Sequence, residues 1–248
     1  MDSPAARPVG DFNWASVLWH ELAHVFHLGI TQHEVPRWFS EGLAVHEQRQ
    51  AREGWGHQAN PGFLSRYREG LLLPVSKLNE GFVQPTYPEQ VLDSYLQSSL
   101  VFDFIESRWG LQVIRDMLRG YRDGGATPEL MESLLQISMD DLDRDFDAYF
   151  KQRFDAPLNA LQLPPSSPGI PQSPRTIEDW TRVVRENPDN FPARLALGIM
   201  LYQEERLEEA EEHLRAALRL FPEYGGMDSP YWFLAQIHKQ RGETEPAA

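Results

Sequence analysis

A mainly α-helical chain in two parts is predicted by three features of the sequence. Nearly every long segment carries apolar residues at helical spacing, and none shows the period-two alternation of a half-buried strand. A proline-rich stretch, DAPLNALQLPPSSPGIPQSP (155–174), holds six prolines in twenty residues and cannot support a helix or a central strand. Beyond it the text turns to alanine, leucine and glutamate, the composition of packed helical hairpins. The predicted organisation is a first domain over 1–154, an extended linker over 155–174 and a second helical region over 175–248.

In the first domain, residues 14–28 form a helix with Asn13 as N-cap and Gly29 as its stop. Residues 36–52 form a second, with Pro36 in the first turn. Residues 61–93, broken by Gly and Pro, read as loops with short helices. A helix over 94–108 is closed by Gly110, and shorter ones follow over 111–119 and 128–136. The last, 138–153, opens on SMDDLDRDF, where Ser138 caps and acidic side chains suit the first turn.

Composition removes several functions. The net charge is −14 with no basic cluster, which argues against nucleic acid. No run approaches the ~18 apolar residues of a membrane span. There are no cysteines, so a metal site must use His, Asp or Glu.

Chemistry concentrates in LWHELAHVFHL (18–28). Residues four apart share a helix face, so His20 and His24 reach one ion together. Glu21 lies about 100° round the helix, placed to act on a metal-bound water without ligating the metal, which is the mechanical content of HExxH. His27 is seven positions from His20, about 10.5 Å along the axis, too far to join it on an ion that needs nitrogens at about 2.0–2.1 Å. It reads as a helix-end residue, second to the ligands or packed. Glu41, in PRWFSEGLAVHEQ (36–48), is the better third ligand, because a helix, a short loop and an antiparallel return bring its carboxylate to the histidines. Glu47 is a possible partner for a histidine N–H. Histidines 33, 46, 57, 213 and 238 have no partners at ligand spacing and read as ordinary surface or helix residues.

HELAH (20–24) followed by WFSEGLA (38–44) resembles the gluzincin metallopeptidases, in particular the aminopeptidase-type enzymes and their peptidase-MA-like relatives. The resemblance covers about residues 14–153. It implies Zn2+ held by His20, His24 and Glu41, and Glu21 as the general base that takes a proton from zinc-activated water during peptide hydrolysis. In DSYLQSSLVFDFIESRWG (93–110) it implies Tyr95 as the oxyanion donor, with Tyr87 of PTYPEQ as the fallback. It also implies a β-sheet before the HExxH helix, whose edge strand holds the substrate. Only about a dozen residues precede the helix here, too few for that sheet; either the chain was cut ahead of the helix or the sheet was lost, and a fragment of a longer protein is the expectation. Relatives of this type are often extracytoplasmic.

In the second region, PARLALGIMLYQEERLEEAEEHLRAALRLFP (192–222) places Leu197-Gly198, Tyr202, Ala210, Leu214, Ala217 and Pro222 where a tetratricopeptide repeat has its packing residues. Residues 176–188 resemble the second helix of a preceding repeat and 230–241 the first helix of the next, with an insertion in YGGMD. An ordinary amphipathic hairpin is the plainer alternative. Two functions follow: a zinc peptidase acting on a peptide or protein and joined to a protein-binding scaffold, or a non-catalytic scaffold with a structural or vestigial zinc site. The presence of Glu21, which contributes nothing to zinc binding, favours the enzyme.

Overall fold

In the computed structural model, which describes residues 13–161, 175–226 and 228–243, the chain is mainly helical and the described residues include no strand. Among the described residues, thirteen α-helices run in order: α1 (Trp14–Thr31), α2 (Arg37–Ala51), α3 (Pro61–Arg68), α4 (Glu80–Val83), α5 (Gln90–Trp109), α6 (Leu111–Arg122), α7 (Thr127–Leu130), α8 (Met139–Arg153), α9 (Asp155–Ala160), α10 (Ile177–Glu186), α11 (Phe191–Gln203), α12 (Leu207–Leu220) and α13 (Pro230–Gln240). Among the described residues, no helix is long and apolar enough to cross a membrane.

The chain divides into two compact units. The first takes in the chain up to His57 and Gly70–Gln152. Its centre is α2, buried on nearly every side: Trp38, Phe39, Leu43, Ala44 and Val45 are all core residues. Its longest packing seam is with α5, and Gly42 makes that seam possible. A Cβ at Gly42 would lie 2.5 Å from Ser98 Cβ and 2.9 Å from the Ser98 carbonyl carbon, so only glycine lets the two backbones approach this closely. Polar contacts lock the same pair. Buried His46 sets its Nδ1 2.9 Å from Asp103 Oδ1 and its Nε2 3.1 Å from Glu106 Oε2, and Arg49 Nη1 lies 2.8 Å from Asp103 Oδ2. The expectation that His46 is an ordinary helix or surface residue is therefore corrected: it joins α2 to α5.

α1 packs on α2 and α6 through one face. Asn13 caps it, its Oδ1 accepting from Ser16 N at 3.1 Å. It does not stop at Gly29. Thr31 is fully buried and donates its hydroxyl to the His27 carbonyl at 2.8 Å, which carries the helix on to a left-handed cap at Gln32. Beside that face α1 leaves Leu18, Leu22, Val25 and Phe26 exposed, with Val25 at 68% and Phe26 at 63%. α5 begins at Gln90, earlier than its apolar pattern suggests. Tyr87 Oη donates to Asp93 Oδ2 at 2.9 Å and ties down that first turn. Ser138 caps α8 as expected, accepting from Asp141 N at 3.1 Å.

The second unit takes in Gln58–Glu69 and the chain from Arg153 onward. Residues 58–69 thus leave the first predicted domain. The reason is packing: α3 lies against α9, and Arg68 Nη1 donates to the Leu161 carbonyl at 3.1 Å. The existence of α9 also corrects the start of the predicted linker. Pro157 falls in the first turn of a helix, where a missing N–H costs no helical bond, and Pro157 and Ala160 are buried. Residues 162–174 of that linker lie outside the described residues. α10 to α13 pack as successive neighbours around a core that includes Leu197, Leu201, Ala210, Leu214 and Ile237. Gly198 faces Leu214, where a Cβ would come within 2.8 Å of Leu214 Cγ.

Gly42→Ala puts a methyl group into the α2–α5 seam and is expected to cost about 1–3 kcal/mol. Urea unfolding followed by far-ultraviolet circular dichroism measures this as a lower midpoint with an unchanged slope.

Candidate metal centre

α1 and the loop after it return the chain so that the first turns of α2 face the middle of α1. This brings His20, His24 and Glu41 together. Glu41 Oε2 lies 3.3 Å from His20 Nε2 and 3.2 Å from His24 Nε2, and the two Nε2 atoms are 3.0 Å apart. Four ligands at about 2.0–2.1 Å in a tetrahedron are spaced about 3.3 Å from one another. The three donors therefore already stand close to the edge lengths of one face of a zinc tetrahedron, and the donor set of two imidazoles and a carboxylate suits that ion. All three are half-buried.

The surrounding hydrogen bonds fix how the ligands present themselves. Gln48 donates its Nε2 to the Ser16 carbonyl and to Ser16 Oγ, each at 2.8 Å. A carbonyl only accepts, so the amide orientation is settled and Gln48 Oε1 faces His20 Nδ1 at 3.0 Å. His20 Nδ1 must carry a hydrogen to meet it, which leaves the Nε2 lone pair for a metal. On His24, Nδ1 lies 2.7 Å from His27 Nε2 and 3.1 Å from Ser40 Oγ. His27 is almost fully buried, and burial first, then the charges of His24 and His20, push its pKa down to about 4. A hydrogen on His24 Nδ1 directed at neutral His27 would leave His24 Nε2 for a metal, as on His20. His27 is thus not a third ligand but the group that orients one.

Charge follows the same geometry. Burial opposes ionisation of Glu41, yet its hydrogen bonds to His20 and His24 and their charge outweigh that cost and hold the carboxyl well below the usual range. Burial also opposes charge on His20, but hydrogen bonds to Glu41 and Gln48 and the charges of Glu41 and Glu21 raise its pKa. Glu21 is exposed, one residue round α1 from His20, and has no hydrogen bond or ion pair among the described residues.

Tyr95 lies beside the cluster, its ring centroid 6.2 Å from that of His20. Burial, ahead of the Glu41 charge, raises the pKa of its hydroxyl. Tyr87 is instead engaged with Asp93 at the start of α5. Two side chains near the site were missed in the sequence. His57 stacks on Tyr95 at 5.2 Å, and the charge of His20 adds to burial in lowering its pKa. Arg37 places Nε 3.5 Å from Glu41 Oε1. The i, i+4 spacing of Arg37 and Glu41 signals that pair; nothing local signals His57. Glu47 does not serve the histidines. It lines an apolar groove of about 370 Å³ with Trp19, Phe26, Ile30, Ile114 and Arg115.

Compared with family models, with curated proteins and with solved structures, the chain has no match in any of the three.

The depressed pKa of His27 has a direction. The unfolded chain, with His27 near 6.5, binds the proton more readily than the fold, where it is about 4. Stability from neutral His27 is complete above about pH 6.5 and is lost as pH falls towards 4. Denaturant midpoints across pH 4–7.5 should show this decline, and His27→Gln should flatten it.

Proposed function

We propose that the first unit is a zinc-dependent peptidase centre of gluzincin type, with His20, His24 and Glu41 as ligands, Glu21 as general base and Tyr95 as oxyanion donor. The observation that carries this reading is the mutual spacing of the three donor atoms, 3.0–3.3 Å, close to that of a zinc tetrahedron. A zinc ion in this position supplies a water of pKa near 7 and a Lewis acid for a carbonyl.

The chain's own groups supply the rest. Gln48 and His27 keep both histidine Nδ1 atoms protonated, so neither ring turns its lone pair away from the site. Glu21, exposed and not engaged by another side chain among the described residues, is available to accept a proton from water and to return it to the leaving amine. Tyr95 donates through its hydroxyl, and the ring stacked on it by His57 limits its movement. The substrate class is a peptide or unfolded protein. The paired helices α10 to α13, with Gly198 packed on Leu214, support a tetratricopeptide-like scaffold for a protein partner.

Hydrolysis of an unfolded protein by the zinc-loaded chain, with and without a chelator, tests the reading. Glu21→Gln should lower kcat by ~10²–10⁴-fold while keeping stoichiometric zinc. Equal activity of Glu21→Gln and parent sinks the peptidase reading, and stoichiometric zinc without turnover in either favours the scaffold.

Gln48→Ala should weaken zinc binding ~10–100-fold, since it removes the acceptor that orients His20. Competition with a chromophoric chelator reads the change.

A further inference from the structure

We propose that Ser16 is a positioning residue: it holds the Gln48 amide that aims His20, and with the same hydroxyl it pins the loop that sets His57 against Tyr95. This role rests on the metallopeptidase reading and supplies what fixes the His20 side of its site.

A serine near the start of a helix commonly spends its hydroxyl on the free N–H groups of that helix. In α1 Asn13 does this, its Oδ1 accepting from Ser16 N at 3.1 Å. The Ser16 hydroxyl is left for other elements. Gln48 of α2 donates through Nε2 to Ser16 Oγ and to the Ser16 carbonyl, each at 2.8 Å. An amide nitrogen carries two hydrogens, and both are used. Ser16 and Gln48 are each only 6% exposed, so neither partner is readily replaced by water. The amide is thus held at its nitrogen end, and its oxygen end faces His20 Nδ1 at 3.0 Å.

The loop over residues 52–57 crosses the same point. Gly56 donates its N–H to Ser16 Oγ at 3.4 Å. Its φ of +69° favours glycine, and a Cβ there would lie 3.1 Å from Arg49 Cγ, 3.2 Å from the Val45 carbonyl oxygen and 3.3 Å from Gln48 Cβ. The backbone of Gly56 therefore rests directly on the residue that aims His20. Its two neighbours reach the surroundings of the site. Trp55 meets Trp19 edge-on, with centroids 6.4 Å apart, and His57 stacks on Tyr95 at 5.2 Å. Ser16 stands where α1, α2 and this loop meet, so one hydroxyl sets the direction of a ligand and the ring beside the phenol together. Without it, a buried N–H of Gln48 loses its acceptor, and the amide loses its aim on His20.

The test uses the full chain with Ser16→Ala, Ser16→Thr, Gln48→Ala, the double variant Ser16→Ala/Gln48→Ala, Gly54→Ala and Gly56→Ala. Circular dichroism checks that each is folded, and chelator competition on the metal-free protein measures zinc affinity. Ser16→Ala should weaken zinc binding ~10-fold, and Ser16→Thr, which keeps the hydroxyl, should recover most of that loss. Because Ser16 acts through Gln48, the double variant should bind zinc within about threefold of Gln48→Ala. Gly54 and Gly56 both have positive φ, but a Cβ at Gly54 would meet nothing within 4 Å. Gly56→Ala should therefore weaken zinc binding ~10-fold, with Gly54→Ala within about threefold of the parent. Ser16→Ala within threefold of the parent overturns the assignment. So does a threonine variant no better than the alanine one, or a double variant much weaker than Gln48→Ala. Equal losses in Gly54→Ala and Gly56→Ala overturn the part given to the loop. A parent that binds no zinc at all overturns the metal reading itself, which separates the two failures.

Discussion

Everything in the first unit that could be chemical depends on where the Glu41 carboxylate is held. One oxygen lies between the two histidine Nε2 atoms and the other against Arg37. That placement is a consequence of helix packing rather than of local sequence. α2 is buried on nearly all sides, and its backbone is drawn against α5 at Gly42, the residue next to Glu41. Had residue 42 a side chain, the helix would stand further from α5 and the carboxylate would shift with it. The His46 clamp with Asp103 and Glu106 fixes the same seam one turn further on. The rigidity a metal site requires is thus built into the core, not added at the surface.

Around the donors, a layer of neutral polar groups sets direction. Gln48 fixes His20 because its own amide is fixed by a carbonyl, and His27 fixes His24 because burial keeps it uncharged. These are long-range facts of the fold: Gln48 is 28 positions from His20. The two acidic residues of the site are treated oppositely. Glu41 is half-buried and held ionised by its neighbours, whereas Glu21 is exposed and, among the described residues, unengaged. That contrast is what a ligand and a proton carrier respectively need.

Much of this was legible in the sequence, and the unread part has physical causes. Periodicity showed a helical chain, and the four-residue spacing of His20 and His24 required a shared face. Helix rise excluded His27 as a ligand, and the next helix had to offer Glu41. The stop at Gly29 failed because Thr31, buried and bonded back to His27, outweighs the weak preference of an exposed glycine for a helix end. The linker was placed too early because Pro157 sits in a first turn, where proline is tolerated. The partners of the histidines were misread, with Glu47 considered in place of its neighbour Gln48: a difference of one residue turns a side chain about 100° round a helix, and only packing decides which side faces in. His46 and His57 lacked signals altogether, since their partners at Asp103 and Tyr95 come from α5, far along the chain.

The central claim is that His20, His24 and Glu41 hold one zinc ion. Diffraction from crystals of the zinc-loaded chain, recorded on both sides of the zinc absorption edge, tests it directly. The account predicts a single anomalous difference peak at about 2.0–2.1 Å from His20 Nε2, His24 Nε2 and Glu41 Oε2. A peak on other residues, or none at this site in a protein that retains its fold, contradicts it.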